Sequence, residues 1–136
     1  FEKKTINVFN YGKMERDFTF IDDIVEGVYR CCFKKPESSY FSSDELIGNE
    51  SFSPPHKIFN IGNSQPTNLK DYIIAIENNL EKKAEIIFED MQPGDVEAPY
   101  ASTRMLSDWI DFKPNTSINS GIKKFIEWYM EYYEYN

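Results

Sequence analysis

Short runs of β-branched and aromatic residues alternate with longer runs of helical period through this chain, and that alternation restricts the fold to the α/β class. "TINVFNY" (5–11) reads as a strand stopping at Gly12, and "RDFTFI" (16–21) as a second. "KIFNIGN" (57–63), almost continuously apolar up to Gly62, reads as a strand covered on both faces, and "AEIIFED" (84–90) as a further one. Helices fill the gaps. Asp23-Ile24-Val25-Glu26 has capping-box spacing, an oxygen for free backbone N–H groups with a Glu three residues on, and Ile24, Val28 and Cys32 share a stripe up to Pro36. In "PTNLKDYIIAIENNLEKK" (66–83), Leu69, Tyr72, Ile73, Ile76 and Leu80 fall on one face. "STRMLSDWI" (102–110) predicts a short helix with Ser102 as its cap. "SINSGIKKFIEWYMEYY" (117–133) aligns Ile118, Ile122, Phe125, Ile126 and Tyr129. Residues 37–55, rich in Ser and without a sustained period, read as a surface loop. Neither side of that loop would bury a core alone, so residues 1–136 form one unit.

Charge narrows the partners. With 15 Lys plus Arg against 23 Asp plus Glu the net charge is −8, which argues against a general nucleic-acid or anionic-membrane surface. Any anion must be held by a local cluster. Cys31 and Cys32 are adjacent inside a helical run, which suits neither a disulfide framework nor C-x-x-C metal or redox spacing, and a cytoplasmic location is expected. No apolar run approaches the roughly 18 residues of a membrane span. The opening "FEKKTINVFN" runs straight into a strand pattern and reads as the middle of something longer.

Two segments carry candidate chemistry. "GKMERD" (12–17) places cations and a flexible glycine at a strand end, where α/β folds hold ligands. Arg16 offers a planar fork of donors that fits two phosphate oxygens, although spacing alone favours a structural ion pair with Asp17 or Asp22. In "MQPGDV" (91–96), Pro93-Gly94 makes a tight turn and Asp95 can accept from vicinal hydroxyls, or the segment is an ordinary turn. His56 stands alone, so no metal site is expected, and no catalytic residue is assigned. The six glycines are too dispersed for a G-x-x-G-x-x-G fingerprint, and no Tyr is followed four residues later by Lys. Neither a dinucleotide pocket nor a tyrosine acid/base is encoded here.

In "INVFNYGKMERDFTFIDDIVEGVYR", "IFNIGNSQPTNLKDYI", "MQPGDV" and "FKPNTSINSGIKKFIEWY", the chain resembles the C-terminal part of extended short-chain dehydrogenase/reductases, most closely the UDP-glucuronate 4-epimerase group of NAD-dependent nucleotide-sugar epimerases. The resemblance implies a Rossmann-type α/β protein whose N-terminal NAD-binding half is absent here. This chain would be the substrate-binding portion plus the last elements of the cofactor sheet, including "IFNIGN". Arg16 then falls on the arginine that grips the UDP diphosphate, and Asp95 on the acid that holds the uridine ribose. Gln92 stands where related UDP-galactose epimerases carry a second phosphate-binding arginine, and Tyr11 and Gly12 shape the nucleotide pocket. Two departures are Ser102, where the family commonly has Asp, and Asp111, where a Gly often closes the helix. By resemblance the full-length enzyme is an isomerase that inverts C4 of a UDP-hexuronate or UDP-hexose by passing a hydride to NAD and back to the other face of the 4-keto sugar. The fragment alone would be inactive. Its expected partners are a UDP-sugar and its own N-terminal half, with a homodimer left open. A sister dehydratase or decarboxylase, and a non-catalytic nucleotide-sugar binding or assembly module, remain alternatives.

Overall fold

The computed structural model describes residues 4–37, 39–42, 50–53, 55–95, 98 and 102–135. Its architecture is α/β, built around one parallel strand pair. Strand β1 (Ile6–Val8) pairs with a strand at Ile86–Phe88 in the register Ile6↔Ile86, Asn7↔Ile87, Val8↔Phe88. A parallel pair requires a long crossover, and all intervening elements lie within it. These are β2 (Glu15–Arg16), helix α1 (Ile21–Cys31), β3 (Ser39–Ser42), β4 (Glu50–Ser53), β5 (Thr67–Asn68) and α2 (Leu69–Leu80), so the strand at Ile86–Phe88 is β6. Helices α3 (Arg104–Ile110) and α4 (Ile118–Tyr132) follow.

The core lies between α2 and α4, as their periods predict. Ala75, Ile122 and Ile126 are buried together, with Tyr72, Ile76, Leu80, Ile118 and Met130 packed around them. Both helices have the expected start: the Asn68 side chain accepts from the Lys70 N–H, and the Ser117 side chain accepts from the Ser120 N–H. Of the α4 stripe, Phe125 is the exception, half-exposed beside Trp128 and Tyr129.

Helix α1 corrects the capping-box reading. It starts at Ile21 with Phe20 as cap residue and no side-chain cap bond, so Asp23 lies within the first turn. There its buried carboxylate accepts the N–H groups of Asn115 (3.3 Å) and Thr116 (2.9 Å), the approach to α4. A distant loop outcompeted the local cap. On the same face, a Cβ at Gly27 would sit 2.5 Å from Ile61 Cδ1, so the glycine is what allows α1 to lie on residue 61. The opposite face carries exposed Ile21, Val25, Val28 and Tyr29.

Strand readings fare less evenly. The run 5–11 is extended only to Val8, because Asn10 and Tyr11 take φ of 49° and 51° and turn the chain left-handed into Gly12. In 16–21 only Arg16 is in a strand: β2 and β5 form a short antiparallel ladder, Glu15↔Asn68 and Arg16↔Thr67. No ladder forms over 57–63 among the described residues. Instead Ile61 packs under Gly27, the Phe59 ring lies 6.0 Å from that of Trp109, and the Asn60 side chain donates to the Ser102 carbonyl. Within 37–55, the loop reading is corrected by β3 and β4, which pair antiparallel from Ser39↔Ser53 to Ser42↔Glu50, while the tip at 43–49 lies outside the described residues.

The residue at the start of α3 is Thr103, not Ser102; it makes no side-chain cap bond, and its hydroxyl lies 2.8 Å from that of Ser64. Asp111 closes α3 at φ 47°, ψ 50°, the left-handed conformation that a glycine usually supplies and that Asp tolerates. Among the described residues no helix is long and apolar enough to cross a membrane.

Candidate ligand-binding site

At the C-terminal ends of β1 and β6 the chain leaves the parallel pair in two segments, 11–16 and 90–95, that face one another. The ladder sets this up: the Glu89 N–H donates to Val8 O (3.0 Å) and the Tyr11 N–H to Glu89 O (3.2 Å), carrying the pairing past the last sheet residues. Side chains then join the segments twice. Tyr11 Oη donates to Asp90 Oδ1 at 2.9 Å, and Arg16 Nη2 donates to Asp95 Oδ1 at 2.8 Å. Each pair is separated by 79 residues in sequence.

Tyr11 is half-exposed, and its phenol pKa is raised, chiefly because its proton is held by the Asp90 carboxylate and further because that negative charge is close by. The phenol therefore keeps its proton at neutral pH and serves as a hydrogen-bond donor to Asp90. Gly12, at φ 71°, is buried beneath the aliphatic stem of Lys70, where a Cβ would come within 2.6 Å of Lys70 Cε. Sequence reasoning missed Lys70, which enters from the first turn of α2 with Nζ 5.6 Å from the centre of the Phe88 ring.

Arg16 is aimed by its backbone and by its neighbour. Nη1 donates to the Glu15 carbonyl (2.8 Å), while β2 is fixed by its ladder to β5 and by the Leu69 N–H on the carbonyl of buried Met14. Asp17, offered as an ion-pair partner by spacing, serves the backbone instead. Its carboxylate accepts the N–H groups of Ser64 (2.9 Å) and Gln65 (3.3 Å), above Gly62, where a Cβ would meet Asp17 Oδ2 at 2.6 Å. Asp22 pairs with Lys124 at 3.2 Å. Arg16 does sit in an ion pair, but with the acid of the other candidate segment.

The second segment is a tight turn. The Asp95 N–H donates to the Gln92 carbonyl (3.2 Å), with Pro93 and Gly94 at the corners and Gly94 at φ 86°, a combination characteristic of a type II turn. Gln92 is exposed and contributes its carbonyl to the turn. Val96 lies outside the described residues. All five candidates, Tyr11, Gly12, Arg16, Gln92 and Asp95, thus lie in the two segments joined by the Tyr11–Asp90 and Arg16–Asp95 contacts. Asp90, which organises Tyr11, was missed because an acid ending a strand carries no distinguishing signal. The Arg16 and Asp95 side chains retain 31% and 30% exposure, so solvent and solutes reach the pair. A cleft of about 240 Å³, apolar and lined by Phe18, Phe20, Tyr72, Ile118, Ile122 and Phe125, opens between α2 and the starts of α1 and α4, and neither Arg16 nor Asp95 lines it. The described residues contain no group of three or more His, Cys, Asp or Glu placed to hold a metal ion.

No protein-family model matches the chain. It is 44% identical over 133 residues to Protein CapI of Staphylococcus aureus, covering 96% of this chain and 39% of that one. It is also 37% identical over 129 residues to UDP-glucuronate 4-epimerase 1 of Arabidopsis thaliana (93% and 29%), and 32% identical over 131 residues to a probable UDP-glucuronate 4-epimerase of Rhizobium meliloti (96% and 38%). Among solved structures it resembles a UDP-glucuronic acid 4-epimerase variant from Bacillus cereus in complex with UDP-4-deoxy-4-fluoro-glucuronic acid and NAD, with TM-score 0.72 at 23% identity over 97% of this chain and 37% of that one. A UDP-glucose 4-epimerase from Bifidobacterium longum in complex with NAD+ and UDP gives TM-score 0.72 at 18% identity, covering 96% and 36%. At these identities the structures establish the fold. The chain spans about two fifths or less of the length of the curated relatives it matches.

Proposed function

We propose, from the premise that this chain is the C-terminal portion of an extended short-chain dehydrogenase/reductase related to UDP-glucuronate 4-epimerases, that it binds the nucleotide-diphosphate end of a UDP-sugar through Arg16 and Asp95. The observation that carries the reading is that a guanidinium and a carboxylate, 79 residues apart in sequence, meet at the strand ends on a solvent-reached face. The fork supplies paired donors to phosphate oxygens and the carboxylate supplies acceptors for vicinal hydroxyls. Anchoring the non-reacting end of a substrate positions the reacting end, and a sugar that must turn over during epimerisation needs such a fixed point. Arg16 has suitable rigidity, its backbone paired with Thr67 and its neighbour Asp17 tied to 64–65.

The residues present do not fit NAD. Among the described residues, Gly12 and Gly94 are the glycines at positive φ; the first is covered by Lys70 and neither directly precedes a described helix N-terminus, the arrangement that cradles a pyrophosphate. NAD binding and C4 epimerisation of a UDP-hexuronate or UDP-hexose belong, in this reading, to a polypeptide that also supplies the NAD-binding half, and this chain by itself has neither activity nor NAD affinity.

Arg16→Ala tests the anchor. UDP affinity should fall by roughly 1.5 to 3 kcal/mol, about 10- to 150-fold, with the melting temperature nearly unchanged. Arg16→Lys should recover part of the loss, because the charge survives and the fork does not. Unchanged UDP affinity in a folded Arg16→Ala protein refutes the reading.

A further inference from the structure

Three residues in a row leave β1 in the left-handed region: Asn10 (φ 49°, ψ 35°), Tyr11 (φ 51°, ψ 27°) and Gly12 (φ 71°). Glycine adopts that conformation freely and asparagine tolerates it, but in a tyrosine it is strained, so the surroundings must hold Tyr11 there. Its hydrogen bonds to Glu89 O and Asp90 Oδ1 contribute, yet Tyr11 is half-exposed and water competes for bonds of that kind. The packed contact is on the next residue. Gly12 is buried, and a Cβ built on it would meet Lys70 Cε at 2.6 Å, Cγ at 2.8 Å and Cδ at 3.3 Å, so the lysine stem lies across this α-carbon. Both ends of that stem are tied. The Lys70 N–H donates to Asn68 Oδ1 (2.9 Å) and the preceding N–H, of Leu69, to Met14 O (2.8 Å), while Nζ sits 5.6 Å from the centre of the Phe88 ring on β6. The apolar part of Lys70 is thus stretched from α2 to β6 over the turn.

We propose that Lys70 is a positioning residue, whose stem clamps Gly12 and so holds the left-handed turn that aims Tyr11 at Asp90. Gly12 gives the chain room to pass under the stem. With the stem removed, the same glycine lets the turn relax, and Tyr11 leaves its strained conformation together with its two bonds to the end of β6. The role belongs to the aliphatic stem, and the ammonium only steadies its far end on Phe88. That the turn so held faces a nucleotide rests on the reading above; the clamp is read from Tyr11 itself.

Nuclear magnetic resonance of the full chain and of its Lys70→Ala and Lys70→Met variants tests it, through amide exchange and through titration of ring-labelled tyrosine, with Tyr11→Phe assigning the signal. In Lys70→Ala the Tyr11 amide should exchange about 5- to 30-fold faster, the factor set by the cost of one left-handed non-glycine residue, while exchange at Ile126 in mid-α4 is unchanged. The Tyr11 phenol, released from Asp90, should titrate lower, at the ordinary tyrosine value. Lys70→Met, which keeps an unbranched stem and drops the charge, should restore both signals. Unchanged Tyr11 exchange in Lys70→Ala, equal acceleration at Ile126, or a Lys70→Met protein that behaves as Lys70→Ala does would each overturn the clamp. Calorimetric titration of wild type with UDP is read separately: absence of binding refutes the anchor reading, and the Tyr11 signals still decide the clamp.

Discussion

The α2–α4 contact and the contact between residues 11–16 and 90–95 both join distant parts of the chain, by opposite means. The first buries Ala75, Ile122 and Ile126 among largely apolar neighbours, almost out of reach of solvent. The second uses Tyr11–Asp90 and Arg16–Asp95, hydrogen-bonded pairs whose members remain open to water. Apolar burial is non-directional and strong in sum, whereas an exposed ion pair is nearly balanced by the hydration it replaces. One contact therefore holds the fold and the other can exchange its partners for a ligand's groups without endangering it.

The largest effect that would sharpen this contrast is expected from Ile126→Ala. Truncating a side chain that is 7% exposed in the helix interface should remove about 2 to 4 kcal/mol, read as a lower urea midpoint at unchanged slope. A loss below 1 kcal/mol would mean that the interface is loosely packed. Asp23→Ala comes next, at about 1 to 3 kcal/mol, because it strands the Asn115 and Thr116 N–H groups in a part-buried place. Amide exchange at Thr116 should accelerate more than exchange in mid-α4; equal acceleration would show global destabilisation only.

Smaller still is the stability change from Arg16→Ala, about 0 to 1 kcal/mol, in contrast to its large expected effect on UDP affinity. A loss as large as that of Ile126→Ala would erase the distinction between the two contacts.

The smallest effect concerns Glu77, at the end of α2. Its pKa is lowered, chiefly by the hydrogen bond from Lys83 (2.6 Å) and then by the N–H of Ala84 (2.9 Å). A carboxyl held below its ordinary value stabilises the fold above that value, and the contribution disappears as pH falls through the lowered one. The melting-temperature difference between wild type and Glu77→Gln should therefore be fully present at neutral pH and vanish in acid. A difference that persists in acid would assign the effect to packing.

How much of this was legible in the sequence differs by element. Helix α4 was legible to within one residue at each end and α2 to within three, because helical period is a local property that their apolar faces repeat over several turns. Five candidate residues were named through resemblance to a known family, and the structure places them in the two facing segments 11–16 and 90–95. Hidden from the sequence were Asp90, Lys70 and the tie between Asp17 and the 64–65 backbone, all contacts made across long sequence separations.

By itself, the sequence determined the α/β alternation, the faces of α2 and α4, the tight turn at Pro93-Gly94 and the presence of a cation at a strand end. Each follows from periodicity, φ preference or side-chain chemistry within a few neighbouring residues. Tertiary structure decided where β1 ends, why Asp23 leaves the cap to serve residues 115 and 116, that 57–63 has no ladder partner among the described residues, and that Arg16 meets Asp95 instead of Asp17 or Asp22. In each of these a polar group had several partners of similar chemistry within reach of the chain. Which of them it meets is set by the parallel register of β1 on β6 and the anchoring of β2 on β5, a geometry that local sequence does not contain.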